Sequence, residues 1–423
     1  MAGPIILPLD VPVEEETSPN YDPKGYYPVD PGQLFNNRYE MIAKLGWGCS
    51  STVWLARDVK RWWWQPDRYV AVKVGTYRYA TRNAAEHELN ISRRISNQNP
   101  SHEGFPYVRS IIDSFEAVGP DGTHVCLVYE PMREPLWMFQ RRCKNDRLTI
   151  ELVKGYLGLL LRALDYLHSE CHIVHTDLKL DNILVGFEDP SVLRDFAQAQ
   201  PTYPMPRKTR DGRSIYLSHN NFGPLRSFYI LPKVSDFGLA QPGDGPQPMV
   251  HPIQPDHYCA PEVILGAGWS YSADIWNLGV LIWNMMENKE LFTNIRSNQG
   301  EYDCKAHLAQ MIALLGPPPK ELLDRGGQGG KWNWEPEMEN PAGELCNNAM
   351  EFYRGPYFDS DGVFLHKDLI PGDLNLEGTV TALEGDDKKA FFDFISKMLQ
   401  WMPEDRKTAK ELLEHPWLQM PDE

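Results

Sequence analysis

The chain has 423 residues, 42% hydrophobic and 24% charged, which is enough apolar content for a sizeable core and argues against bulk disorder. At about 150 residues per domain, the length suggests two or three structural units. With 58 acidic against 42 basic residues the net charge is −16, which argues against phosphate-backbone binding to nucleic acid and against docking on anionic membranes, and leaves basic partners open.

Residues 1–36 are rich in Pro, Asp and Glu and show no period, so they read as a tail ordered only near Tyr26-Tyr27-Pro28-Val29. The apolar start is short and broken by Pro4 and Pro8, with no basic stretch before it, unlike a secretory leader. Short apolar runs at 39–45, 52–56 and 69–74 predict three strands. A helix follows at 80–95, with Leu89, Ile91 and Ile95 inward, then strands at 111–115 and 125–129. After Pro131 the pattern turns helical. Residues 150–168 carry Val153, Leu157, Leu160, Leu161, Leu164 and Leu167 at helical spacing. Residues 272–287 are almost wholly apolar and predict a buried central helix, with further helices at 306–315 and 388–399. The stretches 188–230 and 318–385 read as insertions or long loops. No apolar run approaches membrane-spanning length. Seven scattered cysteines without a C-x-x-C pair suit reduced thiols in the cytoplasm or nucleus. The division expected is a tail at 1–36, a small β-rich lobe at 37–132 and a larger, mainly helical lobe at 133–423, in an α+β architecture.

Leu45-Gly46-Trp47-Gly48-Cys49-Ser50-Ser51-Thr52-Val53 lies between the first two strands. A glycine-rich turn there lets backbone N–H groups approach phosphate oxygens, although an ordinary hairpin turn accounts for it equally well. Three further segments favour phosphate chemistry. Val70-Ala71-Val72-Lys73-Val74 sets a lysine inside an apolar strand, where it needs an anionic partner, and Glu88 can supply one. His175-Thr176-Asp177-Leu178-Lys179-Leu180-Asp181-Asn182 follows the long helix, and Asp236-Phe237-Gly238 follows a short strand at 233–235. Phosphoryl transfer needs a phosphate-gripping lysine, divalent-cation ligands and a carboxylate beside the attacking hydroxyl, and this order contains all three.

These segments resemble the protein-kinase signature set from about residue 39 to 418, with Ala260-Pro261-Glu262, Asp274, Asp405-Arg406 and His415-Pro416-Trp417 completing it. The resemblance implies a bilobal protein-kinase fold using ATP and Mg²⁺. It implies that Lys73, paired with Glu88 rather than Glu86, holds the α- and β-phosphates under the turn 45–53. Asp177 orients the substrate hydroxyl and accepts its proton, and Lys179 contacts the γ-phosphate in a form typical of Ser/Thr kinases. Asn182 and Asp236 hold Mg²⁺. Ala71 faces the nucleotide, Glu130 and Met132 offer hinge backbone groups to adenine, and Tyr129 guards the back pocket. Glu262 pairs with Arg406.

Tyr26-Tyr27-Pro28-Val29, Leu34-Phe35-Asn36-Asn37-Arg38-Tyr39, Leu45-Gly46-Trp47-Gly48, Ser51-Thr52-Val53-Trp54, His175-Thr176-Asp177 and the long gap from Asn182 to Asp236 resemble the SR-protein kinases, in a fungal-type texture. That implies a monomeric kinase for serines in basic, Arg-Ser-rich, splicing-factor-like proteins, with no direct nucleic-acid or membrane partner. Two acidic positions of the family's arginine-docking groove read Ala306 and Ala313 here, which counts against extended processive docking. Cys259 replaces the basic residue expected before Ala260-Pro261-Glu262. Asp181 could meet an arginine of the substrate, but a solvated or capping carboxylate of the catalytic loop is the slightly favoured reading. The position of the arginine that clamps a phosphorylated activation loop is Thr176, and 239–259 contains no Ser or Thr, so activity without loop phosphorylation is expected. The alternatives are a pseudokinase scaffold and a kinase of the same group with other substrates. Trp62-Trp63-Trp64 is expected to fold over the small lobe, Arg207, Lys208, Arg210 and Arg213 to lie in a solvated loop, and His175 to be a packed residue rather than a base.

Overall fold

The computed structural model describes residues 4–19, 21–62, 64–77, 79–245, 249–329 and 333–419. Two compact units emerge. The first comprises Met1–Pro100, Val108–Pro135 and Leu184–Gly238, and the second Ser101–Tyr107, Leu136–Ile183 and Leu239–Glu423.

The first unit is built on an antiparallel sheet of β1 (Leu34–Phe35), β2 (Tyr39–Gly48), β3 (Ser51–Asp58), β4 (Tyr69–Gly75), β5 (Ile111–Val118) and β6 (Thr123–Tyr129), in the order β1-β2-β3-β4-β6-β5. Alternation sorts the side chains of β4. Val70, Val72 and Val74 enter the main apolar core with Met41, Trp54 and Val128, whereas Ala71 and Lys73 take the opposite face. The helix Tyr79–Asn97 turns Glu88, Ile91, Ser92 and Ile95 inward as one stripe, which leaves Glu86 on its exposed side.

Two expectations need correction in this unit. The stretch 1–36 is more than a tail ordered at one patch. Glu14–Thr17 forms a turn of 3₁₀ helix, and Ile6 bridges Arg207. The stretch 188–230, assigned above to the larger lobe, packs here instead. It forms a helix, Pro190–Ala199, started by the Asp189 cap, and a hairpin, Arg207–Arg210 with Arg213–Tyr216. Buried charge holds both segments to the sheet. Lys44 on β2 is 1% exposed and meets Glu15, Glu14 at 3.5 Å and the Tyr216 carbonyl at 3.0 Å. Lys208 is equally buried and donates to the Val11 carbonyl at 2.7 Å and to Glu16. An ammonium without these acids would be too costly to bury, so the acidic tail and the basic hairpin require one another. The basic run 207–213 is thus only partly a solvated loop, with Arg210 exposed and Lys208 internal.

The tryptophan run also departs from expectation. Trp62 and Trp64 stack on each other at 5.1 Å and stay exposed at 66% and 61%, and Trp63 lies outside the described residues.

The second unit is mainly helical. In Ser272–Glu287 every residue after the first is buried, so this is the central helix that its composition predicted. Ile150–Asp165 packs on it and ends in a π-helical turn, Tyr166–Glu170. Cys304–Leu315 starts earlier than its apolar pattern because Asp303 caps it, accepting from the Lys305 and Ala306 N–H groups. The helix expected at 388–399 runs instead over Gly385–Ile395, with Asp386 and Asp387 set against the positive end of its dipole. The 318–385 stretch contains the helix Lys320–Gly329 and a short hairpin, Met338–Glu339 with Leu345–Cys346. No described helix is long and apolar enough to cross a membrane, and no disulfide forms among the described residues.

Candidate active site

In the first unit the hairpin of β2 and β3 closes on Cys49 and Ser50, with Gly48 opposite Ser51. A Cβ added at Gly46 or Gly48 would meet nothing within 4 Å, and neither glycine has a positive φ. Among the described residues no contact therefore calls for glycine there, and the open space suits a close-approaching ligand. The Tyr26 hydroxyl donates toward the Gly48 and Cys49 carbonyls at 3.1 and 2.8 Å, tying the tail to the turn. The sequence marked Tyr26 only as part of a motif, since a partner more than twenty residues away leaves no local signal. Tyr26→Phe is expected to raise the KM for ATP two- to tenfold, about the worth of one hydrogen bond at roughly 0.5–1.5 kcal/mol. Steady-state kinetics decide this, and an unchanged KM refutes the anchor.

Register sorts the remaining residues of this half. Val53 and Leu127 lie opposite Lys73, and Tyr129 lies opposite Ala71, so Val53, Ala71, Lys73 and Tyr129 share one face. Thr52 is on the other face, buried, with its hydroxyl accepting from Trp54 Nε1, so its side chain does not join that group. Leu45 is half-buried against the apolar core, Ser51 is buried, and Trp47, Cys49 and Ser50 are exposed.

Lys73 Nζ sits 2.8 and 2.7 Å from the two Glu88 oxygens and 3.3 Å from Asp236 Oδ1. Burial alone would lower the lysine pKa, but the Glu88 and Asp236 charges outweigh it and hold the ammonium firmly protonated. Asp236 has φ of 65°, a strained backbone followed by the buried Phe237. The Tyr129 hydroxyl donates to Glu88 at 3.3 Å, and burial with the Glu88 charge pushes its phenol up. Met132 is buried, and the Glu130 carboxylate pairs with Lys233 at 2.6 Å.

In the second unit Asp177 is 8% exposed. Lys179 Nζ lies 2.8 and 3.1 Å from its oxygens, and Asn182 Nδ2 donates to its Oδ2 at 2.7 Å and to its carbonyl at 2.9 Å. Both of these bonds use the amide nitrogen of Asn182. The loop is held from the central helix. Buried Asp274 accepts the His175 and Thr176 N–H groups at 2.7 and 2.9 Å and contacts His168 Nε2 at 2.9 Å, while Asn277 Nδ2 donates to the Leu178 carbonyl. This clamp sustains the positive φ of Thr176, 67°, next to the carboxylate. His175 is fully buried, its Nδ1 accepting from the Asp177 N–H, in keeping with a packed role. Asp181 is exposed.

The Thr176 hydroxyl donates to the Leu239 carbonyl at 2.8 Å. Tyr258, the single hydroxyl residue of 239–259, is buried and donates to Asn284 at 3.0 Å, so it is not presented for modification. Glu262 and Arg406 form the expected pair, with two bonds of 2.6 Å and both side chains fully buried. A cavity of about 460 Å³ is lined by Asp177, Lys179, Asp256, Cys259, Glu301 and Arg354 among others. Arg354, from the 318–385 stretch, thus supplies a base to the pocket where Cys259 lacks one.

The sequence profile of the protein kinase domain matches residues 39–418. The chain belongs to the protein kinase family. This kinase is 38% identical to a serine/threonine protein kinase of Aspergillus fumigatus, over 98% of its own length and 92% of the relative's. It is 31% identical to the serine/threonine-protein kinase SRPK of Physarum polycephalum, over 96% and 91%. A solved kinase domain superposes with a TM-score of 0.63 at 25% identity, covering 94% of this chain and all of the other. The kinase is thus a serine/threonine kinase of SRPK-like type with the bilobal kinase fold.

Proposed function

We propose that this kinase transfers the γ-phosphoryl group of Mg·ATP to serine in basic, Arg-Ser-rich proteins. The observation that carries an active enzyme over a scaffold is the Lys73–Glu88 pair at 2.7 Å with Asp236 beside it, an arrangement phosphoryl transfer requires. Lys73 grips the α- and β-phosphates, and the backbone of the turn 45–53 lies along them. The Glu130 carbonyl and Met132 N–H meet the purine edge. Asp177 accepts the proton of the substrate hydroxyl as that oxygen bonds to phosphorus, and Lys179 stays on the γ-phosphate. No cluster of three or more His, Cys, Asp or Glu side chains among the described residues would hold a metal alone. The oxygen donors of Asn182 and Asp236 fit a hard cation that arrives with the nucleotide. They would hold Mg²⁺, which supplies neutralisation of phosphate charge.

The Arg-Ser preference is supported by the likeness to SRPK and by the net charge of −16. One set of observations favours a second reading, other basic substrates without extended docking. Ala306 and Ala313 offer no charge, Asp256 is already bonded to Arg296 at 2.9 Å, and Glu301 faces Arg354. The same proposal makes the kinase a monomer of the cytoplasm or nucleus. A peptide array with radiolabelled ATP tests it, using protein made in bacteria and treated with phosphatase. Labelling concentrated on Arg-Ser peptides is the expected result and also shows independence from loop phosphorylation. Labelling without that preference removes the substrate assignment, and a blank array removes the activity.

A further inference from the structure

The carbonyl assigned above to the purine edge already has a partner. Arg109 donates to the Glu130 carbonyl through both Nε, at 3.2 Å, and Nη2, at 2.9 Å. Its guanidinium lies 4.7 Å from the centre of the Tyr129 ring, the back-pocket residue. The Arg109 N–H donates to the Val234 carbonyl at 2.9 Å, and Val108 bridges Val234, so the side chain springs from a fixed backbone. Arg109 is half-buried, with its guanidinium set against a neutral carbonyl on one side and a ring face on the other.

The arrangement places N–H donors immediately beside one acceptor. An adenine edge presents an amino donor at C6 and an acceptor at N1, so it needs a free carbonyl and a neighbouring N–H. A 6-oxopurine presents the reverse, an acceptor at O6 and a donor at N1. Its O6 matches the Arg109 N–H groups in a charge-assisted bond, and its N1–H matches the second lone pair of the Glu130 carbonyl.

We infer that Arg109 opens the nucleotide site to 6-oxopurines, so that GTP and ITP serve as phosphoryl donors beside ATP. This rests on the proposed role of the Glu130–Met132 backbone. The reaction is otherwise the same. The bond from the γ-phosphorus to the β-phosphate oxygen breaks, the bond to the serine oxygen forms, the hydroxyl proton passes to Asp177, and the diphosphate leaves.

The test compares kcat/KM for ATP, GTP and ITP on one peptide, in the wild type and in Arg109→Val. ITP isolates the 6-oxo contact because it lacks the 2-amino group. In the wild type, GTP and ITP are expected within about tenfold of ATP, a difference of one hydrogen bond's order. Arg109→Val should cut both the GTP-to-ATP and the ITP-to-ATP ratios at least tenfold, and Arg109→Gln, which keeps an amide donor, should fall between. Turnover of ATP with no use of GTP or ITP overturns the inference alone, as do ratios that Arg109→Val leaves unmoved. If none of the three nucleotides is turned over, the kinase assignment fails, and thermal unfolding with added GDP or ADP still decides the nucleotide preference. GDP must then protect the wild type about as well as ADP and lose that effect in Arg109→Val; equal protection of both proteins overturns the inference.

Discussion

Asp177→Asn is expected to lower kcat by about 10²–10⁴-fold, the usual worth of a positioned general base, with thermal unfolding close to that of the wild type. The substitution is nearly isosteric and keeps an oxygen that Lys179 and Asn182 can reach, so the loop retains most of its bonds. The backbone that sets the carboxylate in place is held separately, by Asp274 on the central helix. Only the negative charge and the proton-accepting capacity are lost. On the roles proposed above, Asp177 on the hydroxyl substrate and Lys73 on the nucleotide, the KM for ATP should move far less than kcat. Turnover numbers from a radiolabelled-ATP assay, paired with a melting curve, separate the roles. Full activity in the variant would remove Asp177 from the role of base, and a large fall in melting temperature would mark it as structural.

The kinase family was legible because its signature lies in short contiguous motifs whose spacing survives without knowledge of the fold. Lys73 was conspicuous as a charge in the apolar strand 70–74, and the structure answers it with Glu88, which the helical stripe through Ile91 and Ile95 turns inward. What the sequence did not reveal depends on partners distant along the chain. Glu15 and Lys44 are 29 residues apart, and Tyr216 and Lys44 are 172 apart, yet each contact is needed to bury one ammonium. Read singly, the acidic tail looks solvated and the basic run 207–213 looks exposed; only their meeting makes both internal. Arg109 escaped notice for the same reason, since its acceptor is a backbone oxygen that no residue type betrays. The exposed, stacked Trp62 and Trp64 show the converse error, in which large apolar area is equated with burial.

Glu262→Gln is expected to destabilise the second unit by about 3–5 kcal/mol, because it strands a buried guanidinium. Arg406 is fully enclosed. Besides its two 2.6 Å bonds to Glu262 it donates to the Ser272 and Gln400 carbonyls at 3.0 Å each and lies 5.1 Å from the centre of the Trp276 ring. The carbonyls orient the guanidinium but carry no net charge to offset its desolvation, so the neutral amide introduced by the substitution cannot replace the carboxylate. Removing both charges together should cost much less. Glu262→Leu with Arg406→Met leaves a hydrophobic pair of similar volume in a fully buried site, and such exchanges are often neutral. Denaturant unfolding followed by tryptophan fluorescence suits the measurement, since Trp276 stacks beside the pair. The double variant recovering most of the loss in the single one would identify uncompensated charge as the cause. If Glu262→Gln unfolds at the wild-type midpoint, the pair does not hold the unit together, and its position beside the central helix that clamps Asp177 would have to be explained by orientation of the catalytic loop alone.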